Sequence, residues 1–307
     1  MEGALIKVAA FVAIIIAGYL AGRSGSFGAN PGTTVSKIVF TFTLPCAVVH
    51  AFGAADFTPQ LLLLVPLGLF CALAAYGVTF VLTRRSERRD RVFYLLNSCG
   101  FNIGCFALPF VQAVFPPGMA VATCMFDAGN AIMMAGGSYA LTGLVAGRER
   151  VANPLRFIAR KLFGSIAFDA YLLLIVLAVL DIRIPQDVVR FTEPIANANS
   201  FLAMLMLGMG MSFAVSRERV AKVARLVGLR MAYAALFSLA AVALLPFDAT
   251  TKAVLLVLVW GPASALAPTY TQMSGADGGL AGFANAVTIV VGVVAATTIA
   301  LMSGAVA

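Results

Sequence analysis

The chain has 307 residues, of which 61% are hydrophobic and only 11% are charged. Soluble domains average about 25% charged residues, so this composition excludes an ordinary soluble protein and indicates an integral membrane protein. Its apolar runs are continuous rather than alternating, which favours transmembrane helices over a β-barrel. The net charge of +8, from 21 basic and 13 acidic residues, is concentrated in short connections between apolar runs, so we predict no nucleic-acid partner.

Catalytic and metal-binding motifs give no signal in this sequence. The five cysteines lie within apolar runs and show no C-x-x-C spacing, and His50 is the sole histidine. The sequence contains no nucleophile–base spacing, zinc-protease motif or phosphate-binding loop. We therefore predict no metal site, no cofactor and no enzymatic activity.

The apolar runs divide the chain into segments long enough to cross a bilayer. A crossing helix needs about 20 apolar residues, and on this criterion we predict ten spans. Their approximate ranges are 4–22, 33–52, 59–83, 92–114, 117–143, 159–180, 190–214, 223–246, 250–272 and 279–303. The first span lacks the basic start and the small-residue cleavage site of a signal peptide, so we interpret it as retained.

Positive charge is concentrated in the odd-numbered connections between these spans. Those connections carry Arg23, then Arg84, Arg85, Arg88, Arg89 and Arg91, then Arg148, Arg150, Arg156, Arg160 and Lys161, and finally Arg217, Arg219, Lys222 and Arg225. Only Arg183, Arg190 and Lys252 lie near even-numbered connections. Basic connections stay in the cytoplasm, so we expect both termini on the outer side of the membrane, which requires an even number of spans.

Two of the predicted spans, the fourth and the ninth, are interrupted in the same way. Residues 97–109 and 260–272 each combine proline with small and amide side chains in the middle of an apolar run. Proline removes a backbone donor and breaks a helix, and the freed backbone groups must be covered by protein or by a watery cavity. Matched breaks in the two halves of a membrane chain are typical of a transporter's substrate site.

Dividing the chain after the fifth span gives two repeats, residues 1–150 and 151–307. Each repeat has an odd number of spans, so the second enters the membrane with opposite polarity and the pair forms an inverted repeat. We therefore predict an all-helical membrane protein with ten transmembrane helices in two inverted five-helix repeats, in which the fourth and ninth helices are broken.

Polar residues and prolines beside the breaks are the candidate substrate-binding residues. An unwound segment exposes the positive end of the helix that follows it, and that end attracts anions. The candidates are Asn102, Pro109 and Gln112 in the first half and Ser264, Pro268, Gln272 and Asn285 in the second half. Any single polar residue could instead form a hydrogen bond between helices worth about 0.6 kcal/mol, so the prediction depends on two clusters at matching positions.

Asp127 is the acidic residue that we single out within a predicted span. A charge at the middle of the bilayer costs about 2.5–3.5 kcal/mol on insertion scales, which makes it a candidate for function. Asp127 aligns with Asn285 of the other half, and we predict that it couples transport to protons or supports the site together with Asn130. The alternative is structural, with Asn130 holding Asp127 in order to lock two helices together.

These motifs resemble the auxin efflux carrier family. Residues 18–22 and 35–45 resemble the opening of that family, and the spacing between Asn102 and Pro109 resembles its fourth-span signature. Residues 262–268, followed by Tyr270, resemble its ninth span.

The resemblance implies a bile-acid-symporter-like fold with two working parts. Spans one, two, six and seven would form a scaffold, and spans three to five and eight to ten would form a moving transport unit. The substrate would be a small organic anion. The long cytoplasmic insert of the plant members is missing, so the chain resembles a compact bacterial malonate carrier of the inner membrane. Membrane lipid is the implied surrounding, and the resemblance favours a homodimer through the scaffold.

Three functions remain open from the sequence. The first is a secondary transporter of a small carboxylate such as malonate, working by alternating access and coupled to protons through Asp127 or driven by the membrane potential. The second is a sodium-coupled organic-anion symporter of the bile-acid type, for which Asp127 offers the one carboxylate near the site. The third is a non-transporting membrane receptor with a soluble partner at its basic connections. The sequence determines neither the substrate nor the direction of flux.

Overall fold

The computed structural model describes residues 2–28, 31–53, 57–146, 153–213 and 216–304. Within these ranges all of the regular secondary structure is helical. The predicted junction between the repeats, at residues 150 and 151, lies outside the described residues, as do Arg148 and Arg150.

Fifteen α-helices follow one another along the described part of the chain. They are α1 (Glu2–Arg23), α2 (Pro31–Ile38), α3 (Leu44–Gly53), α4 (Leu64–Leu82), α5 (Arg88–Ser98), α6 (Leu108–Val114), α7 (Met119–Ile132), α8 (Ser138–Ala146), α9 (Pro154–Leu162), α10 (Ile166–Val179), α11 (Gln186–Met209), α12 (Arg217–Leu244), α13 (Ala249–Val259), α14 (Ala267–Met273) and α15 (Gly278–Ser303). Short π-helical turns at Val39–Thr43, Ile103–Ala107 and Met133–Gly137 lead into α3, α6 and α8. Such turns are rare and are frequently found at functional sites.

Helices occupy every one of the ten predicted spans, but they differ in length and polarity. Six helices within the described residues are long and apolar enough to cross a membrane, and two bent helix pairs raise the number to eight. The six are Gly3–Arg23, Pro31–Gly53, Pro59–Leu82, Met119–Val145, Arg217–Leu244 and Gly278–Ser303. An all-helical membrane protein is therefore confirmed, whereas the count of ten spans and the inverted repeat stay predictions.

The sixth predicted span is bent rather than continuous. The helices Leu155–Leu162 and Ile166–Val179 meet at an angle of 84°. Ser165 caps the second of them, since its hydroxyl accepts a hydrogen bond from the Phe168 amide. A serine cap satisfies a backbone donor that a new helix would otherwise leave free, so the chain can turn here and begin a second helix.

Close contacts join the helices into several sets of neighbours. α11 lies along α1 and contacts α2 and α3, and α10 contacts α3. A methyl group on Gly18 or on Gly208 would collide with the backbone of the facing helix, so glycine lets α1 and α11 approach closely. Gly68 and Gly129 do the same for α4 and α7. In the second half, α12, α13, α14 and α15 pack against one another, and α5 contacts α12, α14 and α15.

Three of the odd-numbered connections lie together at one end of the bundle. Arg219, at the start of α12, forms an ion pair with Asp277 at an N–O distance of 2.7 Å. Lys222, one turn further along, forms an ion pair with Asp90 of α5 at the same distance. The third, seventh and ninth connections therefore share one face, in agreement with the alternation of charge in the sequence.

Candidate functional site

The first break lies between α5 and the helix Ile103–Val114, which meet at an angle of 46°. Gly100 has a φ of 71°, a left-handed conformation that glycine adopts without a steric penalty. The break therefore precedes Pro109, which is buried in the first turn of α6. The π-helical turn before α6 accommodates this proline, because the Ala107 amide bonds back to the Asn102 carbonyl across five residues.

The second break lies between α13 and α14. α13 ends at Val259, and the backbone is not helical again until Ala267. Pro262 lies within the break, whereas Pro268 lies in the first turn of α14. Proline is tolerated in a first turn, where its missing N–H would have had no partner within the helix.

The two breaks are joined to each other by a backbone hydrogen bond. The Asn102 amide of the first break donates to the Pro262 carbonyl of the second break, at 3.0 Å. Asn97 of α5 also donates through Nδ2 to the hydroxyl of Thr271 in α14, at 2.9 Å. The interrupted fourth and ninth segments therefore cross in contact, and each supplies backbone partners to the other.

Arg230 of α12 binds both breaks at once. Its Nη1 donates to the carbonyls of Asn97, Ser98 and Gly100, at 3.2, 3.0 and 3.0 Å. Its Nη2 donates to the Gly261 carbonyl, at 2.9 Å. Arg230 is 8% exposed, and no carboxylate in the described part of the chain lies within ion-pair distance of it. Carbonyl oxygens that the breaks leave without helical partners thus supply the acceptors for a buried cation.

Asn130 of α7 holds the first break through hydrogen bonds to its backbone. Its Oδ1 accepts from the Phe101 amide at 3.1 Å, and its Nδ2 donates to the Phe101 carbonyl at 2.9 Å. Nδ2 also donates to Asp127 at 2.9 Å. Because a carboxylate accepts and an amide oxygen does not donate, Asp127 fixes which way the Asn130 amide points.

Asp127 is 7% exposed and has a second partner on another helix. Its Oδ2 accepts a hydrogen bond from the Tyr171 hydroxyl of α10, at 2.8 Å. Together, Asn130 and Tyr171 supply each carboxylate oxygen with a donor. The carboxylate therefore connects the backbone of the first break, through Asn130, to α10.

Two residues of α15 hold the second break in a corresponding way. The Thr288 hydroxyl accepts from the Ala263 amide at 3.2 Å, and the Nδ2 of Asn285 donates to the Ser264 carbonyl at 3.3 Å. Asn285 and Thr288 are three residues apart, as are Asp127 and Asn130 of α7. α7 and α15, the helices that come next after the two broken segments, therefore each present two polar side chains, one turn apart, toward the break.

A cavity of about 650 Å³ lies beside the crossing. The polar and charged residues that line it are Lys37, Asn102, Asp127, Asn130, Lys161, Ser165, Tyr171, Ser264 and Tyr270. Asn102 is 6% exposed, and its Nδ2 has no hydrogen-bond partner among the described residues. A buried donor without an acceptor is costly, so a ligand oxygen in the cavity would be bound favourably once the Asn102 side chain turned its Nδ2 toward it.

A second cavity, of about 490 Å³, lies on the other side of Ala265 and Leu266, which line both cavities. Pro268, Thr269 and Asn285 also line it, together with residues from the facing ends of α1, α2 and α11. None of its described lining residues carries a charge. The structure therefore places Asn102, Ser264, Asp127 and Asn130 at the first cavity and Pro268 and Asn285 at the second.

Residues 4–151 match the sequence model of a family described as membrane transport protein. The first half of this chain belongs to the membrane transport protein family, that of the auxin efflux carriers. The match covers Asn102, Pro109, Asp127 and Asn130, and it confirms the resemblance that the motifs predicted. No curated protein matches the chain.

Three of the predicted site residues of this membrane transport protein lie away from both cavities. Pro109 is buried among the residues of α6, Gln112 is half-buried on the same helix, and Gln272 is exposed near the end of α14. None of the three belongs to the lining of either cavity. Pro109 lies in the first turn of α6, and Gln112 and Gln272 lie further along α6 and α14. The 650 Å³ cavity forms instead at the non-helical residues that precede these helices.

Arg230 and two lysines were not among the predicted site residues. Lys161 counts in the sequence as one of the basic residues that orient the fifth connection, yet it lines the 650 Å³ cavity together with Lys37. Arg230 lies in an apolar run with no other charge between residues 226 and 247. Since a charge at membrane depth is costly and usually functional, that isolation was the available signal.

Proposed function

We propose that this protein is a secondary transporter of a small organic anion, a carboxylate such as malonate. The observation that carries the proposal is the 650 Å³ cavity at the crossing of the two breaks, which is lined by Asn102, a residue whose buried Nδ2 donor has no hydrogen-bond partner among the described residues. A carboxylate oxygen is the kind of acceptor that this donor lacks.

The charges around the cavity favour an anion. Lys37 and Lys161 are exposed and line the cavity, where they add positive charge at its rim. Asn102 lies directly before the helix Ile103–Val114, so the positive end of that helix adds to the positive charge at the cavity. The carboxylate of Asp127 is already bound by Asn130 and Tyr171. The two lysines outnumber this one carboxylate, so the described lining that a ligand meets is positive overall.

The proposed transport cycle is alternating access by movement of a transport unit against a scaffold. The scaffold comprises the first, second, sixth and seventh predicted spans, and the transport unit comprises the third to fifth and the eighth to tenth. The cavity is lined from both groups, by residues of α2 and α10 on one side and by the two breaks on the other. Contacts between the groups, such as the one between Tyr171 and Asp127, must change during this movement.

The proposal includes a topology and a location. Ten spans in two inverted repeats would cross the inner membrane of a bacterium, with both termini on the outer side, and Asp127 would couple the movement to protons. Support comes from the helices in every predicted span and from the third, seventh and ninth connections, which share one face. A homodimer through the scaffold belongs to the same proposal.

The test is uptake of labelled malonate, and of a panel of mono- and dicarboxylates, into proteoliposomes that contain the purified protein. We expect Asn102→Ala to reduce uptake at least about tenfold, because loss of one directed hydrogen bond to a charged ligand is worth about 1.5–3 kcal/mol. Asn197→Ala is the matched control, since Asn197 is exposed on α11, and it should transport as the wild type does. Absence of flux for every carboxylate under any gradient, or unchanged uptake by Asn102→Ala, would reject the proposal.

A further inference from the structure

We infer that Arg230 is a positioning residue that ties the two breaks into one unit, so that the crossing moves as a single body during transport. Four hydrogen bonds from one guanidinium carry this inference. Three go to the first break and one goes to the second, and all of them end on backbone carbonyls. The inference rests on the proposed transport function only for its kinetic test.

The division of labour within the guanidinium makes the inference specific. Nη1 serves only the first break, at Asn97, Ser98 and Gly100. Nη2 serves only the second break, at Gly261. The rigid planar fork of arginine fixes the two nitrogens relative to each other. The positions of the first break and of Gly261 are therefore coupled through one side chain that neither break contains.

The location of Arg230 excludes the usual alternative of a salt bridge between helices. Its contacts are carbonyls, and the buried carboxylate of the site, Asp127, is bound by Asn130 and Tyr171 instead. Arg230 also lies on α12, against the side of the crossing that contains Trp260 and Gly261, and it is absent from the lining of the 650 Å³ cavity. Its role is therefore to position the backbone that carries Asn102 and Ser264 rather than to touch the ligand.

Two other hydrogen bonds join the breaks or their flanking helices, and they define what Arg230 adds. The Asn102 amide donates to Pro262, and Asn97 donates to Thr271. Neither of them holds Gly261, which directly follows Trp260, the residue at which the backbone leaves α13. Arg230 is the side chain that fixes this point to the first break.

The Arg230→Lys variant separates the link between the two breaks from the positive charge at the first break. A lysine ammonium keeps the positive charge and has three N–H donors on one nitrogen. That number suffices for the three carbonyls that Nη1 serves, but a single nitrogen cannot also reach Gly261 in the geometry of the guanidinium. The variant therefore keeps a cation at the first break and releases the second. Arg225→Lys is the matched control, because Arg225 is exposed on the same helix.

The first readout needs no ligand. Trp260 is the only tryptophan of the chain, it precedes Gly261, and its Nε1 donates to the Ser238 hydroxyl at 3.0 Å. We expect acrylamide to quench Trp260 emission more strongly in Arg230→Lys than in the wild type, because the second break is no longer held. Arg225→Lys should be quenched as the wild type is. Equal quenching in the two variants would overturn the inference.

The second readout is the kinetics of malonate uptake. We expect Arg230→Lys to lower the maximal rate at least about tenfold while KM stays within about threefold, because the cavity keeps its ligand contacts but the unit no longer moves as one body. A raised KM with an unchanged maximal rate would overturn the inference, since it would make Arg230 part of ligand binding. If the wild type carries no malonate, the proposed function fails, and Trp260 quenching alone decides about the link.

Hydrogen exchange on the wild type covers the case in which Arg230→Lys does not fold. If the breaks form one unit, the backbone amides of residues 97–102 and those of residues 261 and 263–266 should open with the same free energy and exchange together. Exchange of one segment at a clearly faster rate than the other would overturn the inference without any variant.

Discussion

The cavity at the first break is lined by charged groups, whereas the described lining of the cavity beyond the second break is uncharged, although the two breaks are in contact. Lys37, Asp127 and Lys161 line the cavity at the first break. The described lining of the cavity beyond the second break contains only apolar and uncharged polar residues. The difference therefore lies in the side chains around the two interrupted segments. Lys37 and Asp127 come from the first half of the sequence and Lys161 from the second, and all three gather at the first break.

The side chains that hold the two breaks differ in the same sense. Asn130 binds both the amide and the carbonyl of Phe101, and Asp127 fixes its orientation. At the second break, Thr288 accepts one hydrogen bond from Ala263. The first break is thus held by a network that includes a buried carboxylate, whereas the described side chains that hold the second, Thr288, Asn285 and Arg230, include none. A change in the charge of Asp127 would therefore be felt first at the first break.

The largest effect that we expect comes from removing these holding groups one at a time. Asn130→Leu keeps the branching of the side chain but leaves the amide and the carbonyl of Phe101 without partners, at a cost of about 1–3 kcal/mol for each group. Thr288→Val removes the partner of one backbone amide, that of Ala263, and should lower the free energy of unfolding by about half as much. Thermal unfolding in detergent measures both. An equal or larger loss in Thr288→Val would contradict the difference between the breaks.

A smaller and more specific effect is expected from the charge at the first break. Asp127→Asn keeps the size of the side chain and an oxygen that can accept from Tyr171, but it can no longer take up a proton. If Asp127 couples transport to protons, malonate uptake by the wild type follows an imposed pH gradient and uptake by Asp127→Asn does not. Asp169→Asn changes an exposed carboxylate near the start of α10 and serves as the control. A pH response that persists in Asp127→Asn would assign the coupling elsewhere.

The sequence predicted the two breaks because their signals are local. Proline, glycine and amide residues inside an apolar run disturb a helix whatever surrounds it. Even so, the prolines mark the region rather than the exact turn. The chain leaves helical geometry at Cys99 and Gly100, and Pro109 lies inside the helix that follows. Gln112 and Gln272 are amide side chains in the helices that follow the breaks, and for that reason they lie beyond the cavities.

The groups that join the breaks could not be read in the same way, because their partners are backbone atoms. Arg230 binds four carbonyls, and every residue has a carbonyl, so no sequence pattern identifies the residues that it contacts. Lys161 lines the cavity from α9, which meets α10 at an angle of 84°. Its position therefore depends on that bend. Both features arise from tertiary packing of distant segments, which periodicity and composition do not encode.

The smallest effect concerns the helices that enter the two breaks. α13, which leads to the second break, is capped by Asp248, whose carboxylate accepts from the amides of Thr250 and Thr251 and from the Thr251 hydroxyl. At α5, which leads to the first break, no side chain caps the first turn. Partial burial acts to raise the pKa of Asp248, but these hydrogen bonds outweigh it and hold the pKa below its ordinary value.

Asp248→Ala tests this cap through its pH dependence. A carboxyl group whose pKa is lower in the folded state stabilises that state above its unfolded pKa, and the stabilisation is lost as the pH falls through the folded pKa. At neutral pH we expect the variant to lose about 0.5–1 kcal/mol, the lower part of the range for an N-cap, because the side chain is exposed to solvent. Unfolding curves of wild type and variant in detergent should therefore converge in acid, below the folded pKa of Asp248. A difference that stays constant with pH would mean that Asp248 supports α13 by packing, and that the helices entering the two breaks do not differ in their charged caps.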